Sequence, residues 1–145
     1  MALYKDLSSL LKATQVAAKA TLRNEVAELV KQEISDAEQE WVYGSYSPVM
    51  YSRRNSLGKG FTIQDTGPYS IRIWDNAPSN YSVFGSAPAA PGYFAQWIND
   101  GNVTNVFNSK TYPWMSPRPF YDQAIVNLAG ARLQQVAING IKRRL

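Results

Sequence analysis

The stretch LYKDLSSLLKATQVAAKATLRNEVAELVKQEISDAEQEW, residues 3–41, decides the fold because apolar or small side chains recur in it every three or four positions. Residues at that spacing share one face of an α-helix. The recurring positions are Leu3, Leu7, Leu10, Thr14, Ala18, Leu22, Val26, Leu29, Val30, Ile34, Ala37 and Trp41. Neither Gly nor Pro interrupts them before Gly44, which stops the helix. We predict one very long helix that bends around the core or extends past it.

The two halves of this predicted helix differ in character. Its middle is thin because four alanines, Ala13, Ala17, Ala18 and Ala20, leave room for another backbone to approach closely. Its second half is acidic, because Glu25, Glu28, Glu33, Asp36, Glu38 and Glu40 outnumber Lys31. Two interpretations of the acidic half stay open: a solvated helix face, or a surface offered to a cationic partner.

Outward from the helix, FTIQDTGPYSIRIWD, residues 61–75, predicts a β-hairpin with its turn at Gly67 and Pro68. Apolar and polar residues alternate on both sides of that turn. One face of the hairpin is therefore apolar and can lie on the helix. The other face carries Arg72 and Trp74, two large side chains that a face in contact only with water would not need.

The remainder alternates loops with helices. Residues 76–92, rich in Pro, Ser, Ala and Gly, predict a long loop that is either functional or disordered. YFAQWINDG, residues 93–101, predicts a one- or two-turn helix ended by Gly101. A final helix starts at Pro117 or Pro119, and Gly130 and Gly140 either weaken it or let it pack tightly. These elements predict an α+β fold, with a long N-terminal helix and a C-terminal helix packed on a small antiparallel sheet.

Composition limits the function classes. The chain has 145 residues, the length of a single domain spanning 1–145, and its net charge is +4. It contains neither cysteine nor histidine, which removes disulfides, thiol nucleophiles, the usual zinc sites and imidazole acid–base chemistry. No apolar run spans a bilayer, and the N-terminus lacks the order of a signal peptide. We expect a soluble, intracellularly made protein without cofactor or metal.

Two weaker signals leave alternatives open. The basic surplus lies after Lys110, ending in Lys142, Arg143 and Arg144; it either solvates a helix end or contacts phosphate or an acidic partner. A hydrolase could use Asp65, Asp75 or Asp100 as acid, base or metal ligand. These aspartates are isolated and are explained as turn formers, so we expect no enzyme.

Three motifs in order carry a resemblance. YSPVMYSRR follows the long helix with Tyr46, Tyr51, Arg53 and Arg54; Trp97, Ile98 and Gly101 follow the hairpin; Arg118, Pro119 and Phe120 open the last helix. In this order the chain resembles the small tail-completion, or head-tail joining, proteins of long-tailed bacteriophages and prophages. The loop at residues 76–92 departs from that pattern.

The resemblance implies a structural virion protein, present in the host cytoplasm during assembly. Its copies would form a ring, expected to be a hexamer, at the neck between the head and the tail. The partners implied are its own copies, the head connector or adaptor, and the tail tube or tail terminator proteins. Such a ring could also contact DNA passing through its lumen.

The residues themselves suggest how such a ring would close. Closure needs two unlike surfaces on one chain, which the acidic half-helix and the cationic clusters can supply. We therefore predict an interface containing Tyr46, Tyr51, Arg53, Arg54, Trp74, Arg118, Phe120, Arg143 and Arg144. Alternatively, residues 43–54 form a core-edge strand whose arginines point to water.

A different class of function also stays open. A nucleic-acid-binding module would use Arg53, Arg54, Arg118 and the terminal basic residues as one stripe, with Tyr51 or Trp74 as a stacking platform. The modest net charge and the acidic helix argue against it.

Overall fold

A computed structural model of the chain describes residues 4–44, 57–77, 95, 99–100 and 118–145. Within them lie helices α1 (Leu7–Thr21) and α2 (Ala27–Glu38), strands β1 (Phe61–Gly67) and β2 (Ser70–Asp75), and helices α3 (Phe120–Leu128) and α4 (Ala131–Arg144). The fold is α+β and mostly helical, which confirms the predicted class. None of the helices in this described part is long and apolar enough to cross a membrane.

The predicted long helix is confirmed, with two irregularities. A π-helical turn, Leu22–Val26, joins α1 to α2, and a second, Gln39–Tyr43, follows α2. A capping box starts α1: Asp6 Oδ1 accepts from Ser9 N at 2.7 Å, and Asp6 N donates to Ser9 Oγ at 3.3 Å. Gly44 caps the far end, where an added Cβ would lie 2.9 Å from the Glu40 carbonyl oxygen.

The hairpin forms in the predicted place. Its strands are antiparallel, with Ile63 opposite Ile73 and Phe61 opposite Asp75, and the register shifts between Asp65 and Gly67. Phe61 and Ile73 pack against the core, so the predicted apolar face does lie inward. Asp75 lies on that same face and is completely buried.

The C-terminal segment folds back along the long helix. α3 packs against α2, whereas α4 packs against α1 and the Leu22–Val26 turn. Arg132, near the start of α4, reaches Glu33, and the Leu145 carbonyl oxygen accepts from the Tyr4 hydroxyl at 3.2 Å. α4 therefore runs antiparallel to the long helix.

Two glycines shape this segment in different ways. Gly130 separates α3 from α4 at φ 141°, so the single predicted final helix is in fact two. Gly140 permits a close helix crossing, because a Cβ there would lie 2.4 Å from Thr21 Cγ2. The thin middle predicted for the long helix thus meets a backbone, and Ala17 and Thr21 are the residues of α1 that become buried.

The core lies at one end of the molecule, between α2, the hairpin and α3. Its buried apolar members are Ile34, Ala37, Val42, Leu57, Ala77, Ala95, Phe120 and Ala124. Ala95, Asn99 and Asp100, the described residues of the predicted short helix, are helical. α1 and α4 contribute no residue to this cluster, and Leu7 on α1 is 79% exposed although its spacing predicted burial.

Candidate assembly surfaces

The tyrosine-arginine segment that motivated the interface prediction lies outside the described residues. Tyr46, Tyr51, Arg53 and Arg54 all fall there, as do Trp97, Ile98 and Gly101 of the second motif. The loop predicted at residues 76–92 is described only at its first two positions, Asn76 and Ala77. The role proposed for these residues stays a prediction.

The other five predicted interface residues lie in the described part, and three of them, Trp74, Arg118 and Phe120, have different surroundings. Trp74 is half-buried on β2 opposite Thr62, on the hairpin face away from the core. Arg118 is half-buried just before α3. Phe120 is 0% exposed and belongs to the core, with its ring centroid 4.4 Å from that of Tyr121. The ring of Phe120 is therefore not available to a neighbouring subunit, and its role is packing.

The basic residues at the C-terminus make ion pairs within the chain. Arg144 Nη1 lies 2.7 Å and Arg143 Nη2 lies 3.1 Å from Glu25 Oε1. Hydrogen bonding from Arg144, above all, lowers the pKa of Glu25. Near the other end of α4, Arg132 pairs with Glu33. The sequence predicts that these acidic and basic residues pair between subunits. In the structure they pair within one chain and join α4 to the long helix.

The acidic half of the long helix is only partly a surface. Glu33 and Glu38 are 7% and 0% exposed, so counting them as part of an acidic face was wrong. They follow Val30 and Ile34 at helical spacing and share the inward side of α2. The carboxylates left on the outer side of the long helix are Glu28, Asp36 and Glu40.

A buried pair of carboxyl groups lies where α2 meets the hairpin. Glu38 and Asp75 are each 0% exposed, and the Asp75 carboxyl group lies close enough to Glu38 to act on its pKa. Neither oxygen of Glu38 accepts a bond from an N–H or O–H group of the described residues. Burial, then the hydrogen bond and the negative charge of Asp75, raise the pKa of Glu38 to about 9. Glu38 therefore holds its proton at neutral pH.

Backbone amides satisfy the Asp75 side of this pair. Asp75 Oδ2 accepts from Gly58 N at 2.5 Å, and Oδ1 accepts from Ala77 N at 2.7 Å. Gly58 adopts φ 77°, and an added Cβ would lie 2.8 Å from Glu38 Oε2. Asp75 consequently holds both the segment before β1 and the segment after β2. The bond from Ala77 is the local contact expected of a turn-forming aspartate, whereas the bond from Gly58 was not predicted.

Two tyrosine hydroxyls complete the buried polar cluster. Tyr121 Oη on α3 accepts from Asp75 N at 3.0 Å, and burial raises the pKa of Tyr121 to about 12. Tyr43 Oη at the end of the long helix accepts from Leu57 N at 3.0 Å. The cluster joins the long helix, the hairpin and α3, and we assign it a structural role because its carboxyl groups are closed to solvent.

Two of the aspartates considered for hydrolysis, Asp65 and Asp75, do not share a site. Asp65 is exposed on β1 and pairs with Arg23 at 2.5 Å, whereas Asp75 lies opposite Phe61 at the other end of the hairpin. Four strand positions, or about 13 Å, separate the two along the sheet. Asp100 Oδ1 accepts from Asn99 Nδ2. Among the described residues, no group of three or more potential ligands could hold a metal ion.

Sequence reasoning missed the Glu38–Asp75 pair, although a signal was present. Asp75 follows Ile71 and Ile73 at strand spacing, and Glu38 follows Ile34 at helical spacing. An acidic residue on each of two apolar faces predicts that the faces meet with one carboxyl group holding its proton.

Comparison with known proteins gives one informative result. The model of the YomN family matches residues 6–143, which is nearly the whole chain. No curated protein and no solved structure gives a significant match. The matched range runs from the residue that caps α1 to the last turn of α4, so it contains every described helix and strand except Arg144, the last residue of α4. The chain therefore belongs to the YomN family, which is phage-derived.

Proposed function

We propose that this protein is a structural component of a virion, and that its copies form a ring at the neck where the DNA-filled head joins the tail. The observation that carries the proposal is the match to a phage-derived family over residues 6–143. The three sequence motifs of the chain also support the proposal. They lie after the long helix, after the hairpin and at the start of the last helices, in the same order as in the joining proteins that the chain resembles. The partners would be the head connector or adaptor and the tail tube or terminator.

We further propose that the protein acts through its surfaces and not through catalysis. The two hairpin aspartates are held apart by the sheet, and one of them is sealed in the core. The chain also has no histidine or cysteine to act as base or nucleophile near neutral pH. What α1 and α3 present to solvent instead are large apolar side chains, as expected of a subunit that assembles.

The ion pairs on α4 favour assembly over nucleic-acid binding. Arg132, Arg143 and Arg144 each contact a carboxylate of the long helix, which reduces the positive charge available to phosphate. Nonspecific binding to DNA requires several such cations, and its affinity falls steeply with salt.

Deleting the gene from the phage or prophage that encodes it tests the proposal. We expect filled heads without attached tails, seen by electron microscopy, and tailed infectious particles again when the wild-type gene is supplied in trans. Antibody labelling of complemented particles should then mark the neck. Normal tailed particles from the deletion, or label confined to the distal end of the tail, would overturn the joining role.

A further inference from the structure

The outer side of α1 is cationic and apolar. Residues 7–21 contain no carboxylate, and both of their basic residues, Lys12 and Lys19, are exposed. Beside them, Leu11 and Val16 are 56% and 69% exposed. Large apolar side chains at this level of exposure along one short helix are typical of a surface that is covered in an assembly.

The opposite end of the molecule has the complementary character. Glu28 and Asp36 on α2 are exposed, as is Glu40 in the π-helical turn that follows it. Glu28 pairs with Lys31 in the same helix. α3 packs beside α2 and leaves Ile125 and Val126 65% and 63% exposed. This end therefore offers negative charge from one helix and apolar side chains from its neighbour.

We propose that the outer side of α1 in one copy of the chain docks on the outer sides of α2 and α3 in a second copy. The two surfaces are different patches of the same molecule, so each copy would bind one neighbour at each end. Such head-to-tail contacts close into a ring when the rotation between copies allows it. The inference rests on the proposed ring and names the faces that form it.

The charges and the apolar residues have separate tasks in this contact. Leu11 and Val16 supply the apolar area, since affinity at protein interfaces comes mainly from well-buried apolar anchors. Lys12 and Lys19, facing carboxylates, orient the copies and exclude the symmetric contact of α1 with α1, in which like charges would meet. Charge complementarity also distinguishes the second copy from a generic hydrophobic partner.

Two charge-reversal variants and their mixture test the proposal. The first variant carries Lys12→Glu and Lys19→Glu, and the second carries Asp36→Lys and Glu40→Lys. Each variant alone opposes like charges at every contact, so we expect its self-association, measured by sedimentation velocity, to be at least about 10-fold weaker than that of the wild type. A 1:1 mixture pairs opposite charges at every contact and should restore association. The control Lys59→Glu reverses an exposed charge that is on neither face, and it should associate like the wild type.

The mixture makes the result independent of folding. Variants that had lost their fold would not recover on mixing, and circular dichroism of each variant alone should match the wild type. The proposal is overturned if the mixture associates no better than its components, or if the wild-type chain stays monomeric up to about 1 mM. If antibodies label the neck but the mixture does not restore association, these faces are rejected and the joining role stands. If the mixture restores association but antibodies do not label the neck, the faces stand and the joining role is rejected.

Discussion

At the scale of single residues, the proton held by Glu38 predicts how stability depends on pH. The pKa of Glu38 is about 9 in the folded chain and near its ordinary value of 4.5 when unfolded. Between those values the folded state holds a proton that the unfolded state releases, so the free energy of unfolding falls as pH rises. The slope is at most about 1.4 kcal/mol per pH unit. Urea unfolding at intervals from pH 5 to pH 9 measures it, and the absence of histidine keeps that window clear of other side chains.

The variant Glu38→Gln isolates this effect. A glutamine amide is neutral at every pH and can donate an N–H to the Asp75 carboxylate, so the decline in stability between pH 5 and pH 9 should largely disappear. Glu40→Gln removes an exposed carboxyl group two positions away and should leave the decline unchanged. An identical decline in wild type and Glu38→Gln would show that Glu38 does not hold this proton.

Gly58 gives a second prediction at this scale. Its φ of 77° disfavours any other residue, and an added Cβ would lie 2.8 Å from both Glu38 Oε2 and Ser35 Oγ. We expect Gly58→Ala to destabilise the fold by about 1–3 kcal/mol in urea unfolding. Gly130→Ala is the matched comparison, because Gly130 also has positive φ but meets nothing within 4 Å. If both variants lose the same stability, backbone strain alone matters and crowding against Glu38 does not.

At the scale of elements, the crossing of α1 and α4 depends on the absence of a side chain at position 140. Gly140→Ala would place a methyl group 2.4 Å from Thr21 Cγ2, and we expect a loss of about 1–3 kcal/mol in chemical denaturation. Adding Thr21→Ser removes that methyl of threonine and should recover part of the loss, a coupling seen as non-additivity. Asn139→Ala, next to it on the exposed side, should change stability by less than about 0.5 kcal/mol. Additive effects at 21 and 140 would contradict the close crossing.

The two arginines that end α4 should differ in how firmly they hold it. Arg144 is the better placed: its side chain is 28% exposed and also donates to Thr21 Oγ1, whereas that of Arg143 is 66% exposed. We expect Arg144→Ala to speed amide hydrogen exchange in the last two turns of α4 more than Arg143→Ala does. Protection equal to that of the wild type in both variants would show that Glu25 does not anchor the helix.

The order and type of the described elements could be predicted from the sequence, because the hydrophobic periodicity and the positions of glycine and proline indicate the same boundaries. Gly44 ends the long helix and Gly67 with Pro68 turns the hairpin, as expected. Side-chain burial along α1 was harder to predict, since Ala17 and Thr21 are buried while Leu7 is exposed. The choice depends on the crossing with Gly140, which local hydrophobicity does not encode.

The candidate surfaces were predictable only in part for the same reason. The excess of positive charge after Lys110 was visible in the sequence, but its pairing with Glu25 and Glu33 depends on α4 returning antiparallel along the long helix. Conversely, the cationic outer side of α1 was overlooked because it carries only two lysines, and because its apolar residues Leu11 and Val16 fall outside the recurring positions used to predict the core.

At the scale of the whole molecule, the exposed side chains of α1 predict self-association that is separable from stability. Leu11→Ser removes apolar area that is 56% exposed, so we expect weaker association in sedimentation and little change in the melting temperature. Ala17→Ser, at a position 2% exposed, should do the reverse: a lower melting temperature with association unchanged while the chain is folded. Equal association of Leu11→Ser and wild type would mean that Leu11 is not part of the contact.

The π-helical turn Leu22–Val26 holds one residue more than a regular turn of α-helix would. Each residue advances a regular α-helix by about 100°, and a π-helical turn absorbs an extra residue without passing that rotation to the residues beyond it. Deleting one residue there would therefore leave the carboxylates of α2 in the same direction relative to the lysines of α1, whereas a deletion within α1 would turn them by roughly 100°. The turn also contains Glu25, which pairs with Arg143 and Arg144, so the fold should tolerate only a deletion that keeps this residue.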